Sequence, residues 1–174
     1  MRINTERLVL KPLGMDHFLT AHKYLADAEN TLYMKYLPHE DEAETIRFLT
    51  ACEAEWQKVR PAYYEFAVFL GETHIGGVAL YNDTEERETG ELVWIIDKNY
   101  WGKGYAAEAA KKLVDFGAEQ LGLKRIIARC DSNNRMSKRI MEKLGMKHCN
   151  TIPGRKNRGS DEIHEEYEYE LLFS

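Results

Sequence analysis

The stretch "NYWGKGYAAEA" (residues 99–109) sets two glycines one residue apart, Gly102 and Gly104, immediately ahead of a run with helical spacing. Where such a loop opens a helix, the unpaired backbone N–H groups and the positive end of the helix dipole favour an anion. Glycine lets the main chain close in on phosphate oxygens. The phosphates of a nucleotide-bearing cofactor are one expected occupant, and a tight turn that holds nothing is the alternative.

The residues on either side place this loop in a fold. Upstream, "GELVWIID" (residues 90–97) is apolar at every position from 92 to 96, as in a central strand buried on both faces. Downstream, residues 105–121 put Ala106, Ala109, Ala110, Leu113, Val114 and Gly117 on one helical stripe, which Gly122 ends. "LKRIIARCD" (residues 123–131) follows as a strand. A helix between two strands is long enough for a right-handed crossover, so the two strands are expected to be parallel neighbours. "NNRMSKRIMEKLG" (residues 133–145) then predicts a short helix capped by Asn134, with Met136, Ile140 and Leu144 inward and Gly145 at its end.

Before the loop, "ERLVLKPL" (residues 6–13) reads as a strand, and Phe18, Ala21, Leu25 and Ala28 recur at helical spacing. Asp41 and Glu44 resemble a capping box ahead of Ile46, Leu49, Cys52, Trp56 and Val59, which predicts a second helix to about Pro61. "YEFAVFLGETHIGGVALYN" (residues 64–82) reads as an antiparallel hairpin turning near Gly71. "HEEYEYELLF" (residues 164–173) predicts a last strand, and "NTIPGRKNRGSDE" (residues 150–162) a polar, mobile loop before it. The fold class expected is α+β: a mixed, mostly antiparallel central sheet with flanking helices and one parallel β-α-β crossover. Residues 1–174 are expected to form a single domain.

Composition narrows the function. Of 174 residues, 44% are apolar and 30% charged, as in folded globular proteins, and the formal net charge is −5. With Lys and Arg scattered, no nucleic-acid partner is expected. Cys52, Cys130 and Cys149 are odd in number and unpaired by spacing, which suits a reducing cytoplasm. The N-terminal "MRINTERLVLKPL" has no apolar core of signal length and no run approaches a membrane span, so neither secretion nor membrane insertion is expected. The six histidines show no HExxH or other metal spacing, and no metal is expected.

One rival shares the loop. "GKGYAA" matches G-x-G-x-x-A, and Asp131 ends the next strand where a dinucleotide fold would place its ribose acid. Five residues between strand and first glycine, the late position of the unit, and hairpins rather than βαβ units before it all count against a nicotinamide dinucleotide.

Several segments together resemble the GNAT superfamily of acetyl-CoA-dependent N-acetyltransferases, and within it the ribosomal-protein N-terminal acetyltransferase branch: "TERLVLKPL", "KYLP", "WIIDKNYWGKGYAAEA" and "NNRMSKRIMEKLGMK", in order over nearly the whole chain. The resemblance implies acetyl-CoA as cosubstrate and a primary amine as acceptor, either a protein N-terminus or a small molecule. It assigns the backbone of Gly102, Lys103, Gly104, Tyr105 and Ala106 to the CoA pyrophosphate. It assigns Trp94, Ile95 and Ile96 to the pantetheine arm, in a gap between splayed parallel strands. Asn134 and Ser137 match an N-x-x-S cofactor motif. Two positions depart from the family: Asn99 stands where R/Q-x-x-G-x-G/A has Arg or Gln, with Lys103 as a source of charge nearby, and Met141 stands where many members carry a tyrosine acid. A CoA-binding module without catalysis remains the alternative, and a homodimer is among the expected assemblies.

Within that frame Ser137, in the first turn of its helix, is the expected proton donor to a departing thiolate, against the plainer role of bonding a free N–H. Glu91 is the expected proton acceptor, with Glu165, Glu166 and a water relay as alternatives. Trp101 either packs on the cofactor or anchors the loop. Tyr33 and Tyr36, flanking Lys35, are expected on the acceptor side by resemblance. The acidic runs "DTEERE" (residues 83–88) and "SDEIHEE" (residues 160–166) read first as solvated faces and second as attractors of a cationic amine.

Overall fold

The computed structural model describes residues 1–82 and 88–174. Strands β5 (Thr89–Ile96) and β6 (Arg125–Asp131) run parallel, joined by the helix α3 (Tyr105–Glu119). Every other neighbouring pair of strands is antiparallel: β1 (Ile3–Asn4), β2 (Leu8–Pro12), β3 (Tyr63–Leu70), β4 (Thr73–Asn82), β7 (Lys147–Lys156) and β8 (Ile163–Leu172) complete one sheet in the order β1-β2-β3-β4-β5-β6-β8-β7. The expected α+β sheet with a single parallel crossover is therefore the fold.

One face of the sheet packs on α3. Ala109, Ala110 and Leu113 are fully buried against a layer that includes Phe66, Val68, Leu80 and Ile126, each fully buried Leu, Ile or Phe being worth about 1.5–3 kcal/mol. Gly117 lets the helix approach closely, since a Cβ there would lie 2.9 Å from Leu80 Cδ2. The opposite face is covered by α1 (Phe18–Leu25) and α2 (Glu42–Trp56), whose Ala21, Tyr24, Leu25, Leu49 and Cys52 cluster with Leu13 and Ala67. Asp41 caps α2 by accepting from the Glu44 N–H at 2.8 Å, while Glu44 reaches back to the Glu40 N–H. No helix among the described residues is long and apolar enough to cross a membrane.

Three expectations are corrected. The segment 150–162 is not one long loop: β7 runs through it to Lys156 as an edge strand, where Pro153 is tolerated at a register shift between Pro153 and Arg155. In α4 (Arg135–Lys143) the fully buried side chain is Met141, while Met136 is 46% exposed and Ile140 only partly covered. A nine-residue helix turns two faces toward different surroundings, and apolar spacing does not say which face meets the core. Finally, α2 stops at Trp56, so that Val59 is almost wholly exposed. Of the acidic run at 83–88, all but Glu88 lies outside the described residues.

Candidate active site

Strands β5 and β6 pair only at Thr89 with Arg125, Gly90 with Ile126 and Glu91 with Ile127. Beyond that point they separate: β5 continues beside β4 to Ile96 opposite Gly76, and β6 continues beside β8 to Asp131 opposite Glu166. A cleft of about 430 Å³ occupies the opening, walled by Trp94, Ile95 and Ile96 on one side and by α4 on the other.

The glycine loop forms the end of this cleft. Gly104 is the N-cap of α3 at φ +82°, and Gly102 has φ +74°, both in the left-handed region that favours glycine. The first N–H groups of α3 have no partner within the helix, and Tyr105, Ala106 and Ala107 of that first turn line the cleft. Arg7 fixes the loop from β2's side, donating to Glu108 Oε2 at 2.7 Å and to the Lys103 carbonyl at 3.1 Å while its guanidinium lies over the Tyr105 ring. Trp101 Nε1 donates to the Ile96 carbonyl at 2.7 Å, so this side chain anchors the loop and lines the cleft at once. Asn99 turns away to Asp97. Its missing charge has a counterpart on α4: Arg139 and Lys143 line the cleft, and no carboxylate does among the described residues.

Ser137 sits in the same wall, in the first turn of α4. Asn134 caps the helix, its Oδ1 accepting from the Ser137 N–H at 3.1 Å and its Nδ2 donating to Ser137 Oγ at 3.1 Å. Ser137 lines the cleft, and its hydroxyl keeps one proton to donate.

A second cavity, of about 190 Å³, lies on the α1/α2 side of the sheet and meets the first at Met34, Trp94 and Ile95, which line both. Its outer wall is formed by residues 34–37 of the segment 31–38. Tyr33 and Tyr36 both belong to that segment: Tyr36, 82% exposed, borders the second cavity, and Tyr33 borders a smaller recess that also touches Ser137 and Asn134.

Glu91 is not brought to either cavity. It accepts from Arg129 Nη1 at 2.8 Å, and Arg129 also donates to Glu168 at 2.8 Å, so the carboxylate belongs to a charged ladder on the sheet. Glu166 is buried and paired with Arg155 at 2.5 Å and Lys35 at 2.7 Å, and Glu165 is exposed. Sequence reasoning missed Met34, Arg139, Lys143 and Arg7. Arg139 and Lys143 lie three and seven residues after Met136, on one face of α4, a signal that was present; Met34 and Arg7 carry none, because their places depend on distant segments.

Residues 7–147 match the family model described as an acetyltransferase (GNAT) domain. YnaD of Bacillus subtilis strain 168, named as an uncharacterized N-acetyltransferase, is 30% identical over 99% of this chain and 97% of its own length. The crystal structure of a GNAT-family acetyltransferase from Bacillus anthracis superposes with a TM-score of 0.82 at 28% identity, covering 99% of this chain and 98% of the other. RimL, a ribosomal L7/L12 alpha-N-protein acetyltransferase solved with coenzyme A, superposes with a TM-score of 0.85 at 13% identity over 99% of this chain and 98% of its own, a likeness of fold. The chain belongs to the GNAT acetyltransferase family. It is an N-acetyltransferase with acetyl-CoA as donor, and the dinucleotide alternative falls away.

Proposed function

We propose that this chain transfers acetyl from acetyl-CoA to a small-molecule primary amine, the donor lying in the larger cleft and the acceptor entering through the smaller cavity. The observation that carries this reading is the shared wall: two cavities on opposite sides of the sheet meet at Trp94 and Ile95, where the strands part. Gly102, Lys103, Gly104, Tyr105 and Ala106 present main-chain N–H groups to the pyrophosphate, with Arg139 and Lys143 adding charge. The free edge of Trp94, Ile95 and Ile96 takes the amides of the pantetheine arm as a strand would. A protein N-terminus is less favoured, because the acceptor cavity is small and covered by the segment 31–38.

In this reading the amine nitrogen bonds to the acetyl carbon as the carbon–sulfur bond breaks, and Ser137 gives its hydroxyl proton to the departing sulfur, regaining one from solvent. The proton lost by the nitrogen leaves by water, since Glu91 is engaged with Arg129. The free thiols Cys52 and Cys130 are buried and burial pushes both up, Cys130 to about 11, so neither is suited to carry the acetyl group. Free thiols also suit a cytoplasmic setting. A panel of primary amines and N-terminal peptides, with released CoA detected by its thiol, tests the reading; turnover on peptides alone would overturn the small-amine assignment.

A further inference from the structure

The acceptor cavity has a floor and a back wall that the sequence does not announce. Glu65, Ala79 and Val93 stand in register across β3, β4 and β5, and Ala67, Gly77 and Ile95 form the next row on the same face. The small side chains of Gly77 and Ala79 keep the middle of the face low. Leu13, Leu25, Leu37 and Phe48 enclose it from the α1/α2 side, so the cavity is mainly apolar. At its back stands Glu65, 8% exposed and the single carboxylate lining the cavity among the described residues.

Glu65 is a buried carboxylate, and no ion pair to it is made among the described residues. Oε1 accepts from the Tyr81 hydroxyl, and among the described residues no hydrogen bond uses Oε2. The Glu65 side chain lines the cavity. Lys35, the nearby ammonium of the lining, is turned to Glu166 at 2.7 Å. A buried carboxylate is costly unless something hydrogen-bonds or pairs with it, and a cationic ligand in this cavity would supply such a partner.

Resting on the acetyl-transfer reading, we propose that Glu65 anchors a second, cationic nitrogen of the acceptor, so that the favoured substrate is a diamine whose apolar spacer fills the cavity. Distance separates this role from that of proton acceptor. Glu65 is two strands from Val93, about 10 Å between Cα atoms at ordinary strand spacing, whereas direct proton transfer needs a contact of about 3 Å. A spacer of roughly 7–10 Å would put one nitrogen beside Ile95 and the other against Glu65.

Burial pushes Glu65 up to about 7, against the hydrogen bond from Tyr81, which lowers it. The groups facing it do not charge in the same range: burial pushes Tyr24 of α1, Cys52 of α2, Tyr63 of β3 and Tyr81 of β4 upward, and it pushes His39, which lines the cavity, downward. The anchor is thus ionised above about pH 7 and neutral below it.

The experiment compares diaminohexane with hexylamine, which differ only in the second nitrogen, by released CoA. The wild-type enzyme should favour the diamine in kcat/KM by about ten- to a hundred-fold, the worth of one charged hydrogen bond, and this ratio should grow as pH rises through about 7. Glu65→Gln should bring the ratio toward one, mainly through the KM of the diamine. Should that variant fail to fold, Tyr81→Phe serves instead, and it should move the pH midpoint of the ratio upward because the lowering hydrogen bond is gone. Equal kcat/KM for the two amines in the wild type, an unchanged ratio in folded Glu65→Gln, or an equal loss of kcat for both amines would overturn the proposal. Turnover of N-terminal peptides but of neither amine would overturn it and leave acetyl transfer standing, whereas no turnover of any amine would remove both.

Discussion

The buried guanidinium of Arg155 donates from Nη2 to the main-chain carbonyl of Tyr33 at 2.6 Å, joining β7 to a segment 122 residues earlier. The same side chain donates to Glu166 at 2.5 Å and to Asn157 at 3.0 Å, and Asn157 donates to Asp131 at 2.6 Å. The C-terminal hairpin thereby holds the outer wall of the smaller cavity in place, helped by the Arg158 N–H on the Met34 carbonyl.

Replacing Arg155 by Met should destabilise the protein by about 3–5 kcal/mol, because Glu166 would be left buried with only Lys35 against it. Urea unfolding measures this. KM for the amine should rise as well, and a stability within about 0.5 kcal/mol of wild type would show that the clasp contributes little.

Ser137→Ala should leave CoA affinity near its original value and slow turnover by roughly 10² to 10⁴, the usual worth of one placed proton donor. Calorimetry with CoA and single-turnover rates separate the two effects. Unchanged turnover would take Ser137 out of the chemistry, and lost affinity would make it part of the donor cradle.

Gly104→Val tests the loop. A β-branched residue at φ +82° is strained by about 1–2 kcal/mol, and the chain can relieve this by turning the N–H groups of the loop away from the cleft. CoA should bind about ten-fold more weakly or worse with little change in core stability. Full retention of CoA affinity would mean that the phosphates sit elsewhere.

Acid–base behaviour offers a separate check on the hairpin. His164 Nδ1 lies 2.7 Å from Asp131 Oδ2, and that hydrogen bond holds the imidazole above its ordinary value. Burial works to raise Asp131, but hydrogen bonds from His164, Asn133 and Asn157 outweigh it and leave the carboxyl lowered. A raised histidine stabilises fully below its unfolded pKa of about 6.5 and loses that contribution as pH climbs through the folded value; a lowered aspartate contributes above about 4. The stability gap between wild type and His164→Gln should therefore be widest between about pH 4 and 6.5 and narrow as pH climbs above that range. A gap that widened with pH would contradict the pairing.

Much of this architecture was legible in residues 90–145. The unbroken apolar run of β5, the capped helices and the Gly102–Gly104 spacing are local signals, and each reports its own surroundings. Local signals placed Asn134 and Ser137 together for the same reason. They failed where a residue's role depends on what lies across the sheet: Glu91 was expected in the cleft but meets Arg129, 38 positions away. Glu65 carries no local signal, because its burial comes from α1 and α2 rather than from its neighbours in sequence. The strand β7 was hidden by Pro153 and Gly154, residues that an edge strand accepts and a central one does not.

The separation of β5 from β6 past Glu91 and Ile127 leaves along β5 a set of main-chain groups that β6 does not take. A ligand recognised there is read through the peptide backbone, which is the same whatever side chains it carries. Residues 92–96 can therefore drift among apolar types without altering the main-chain groups that this edge offers. Their number cannot change, because a single inserted residue would turn Trp94, Ile95 and Ile96 each to the opposite face of the sheet and disturb the lining of both cavities. At this edge the enzyme inherits a length rather than a motif.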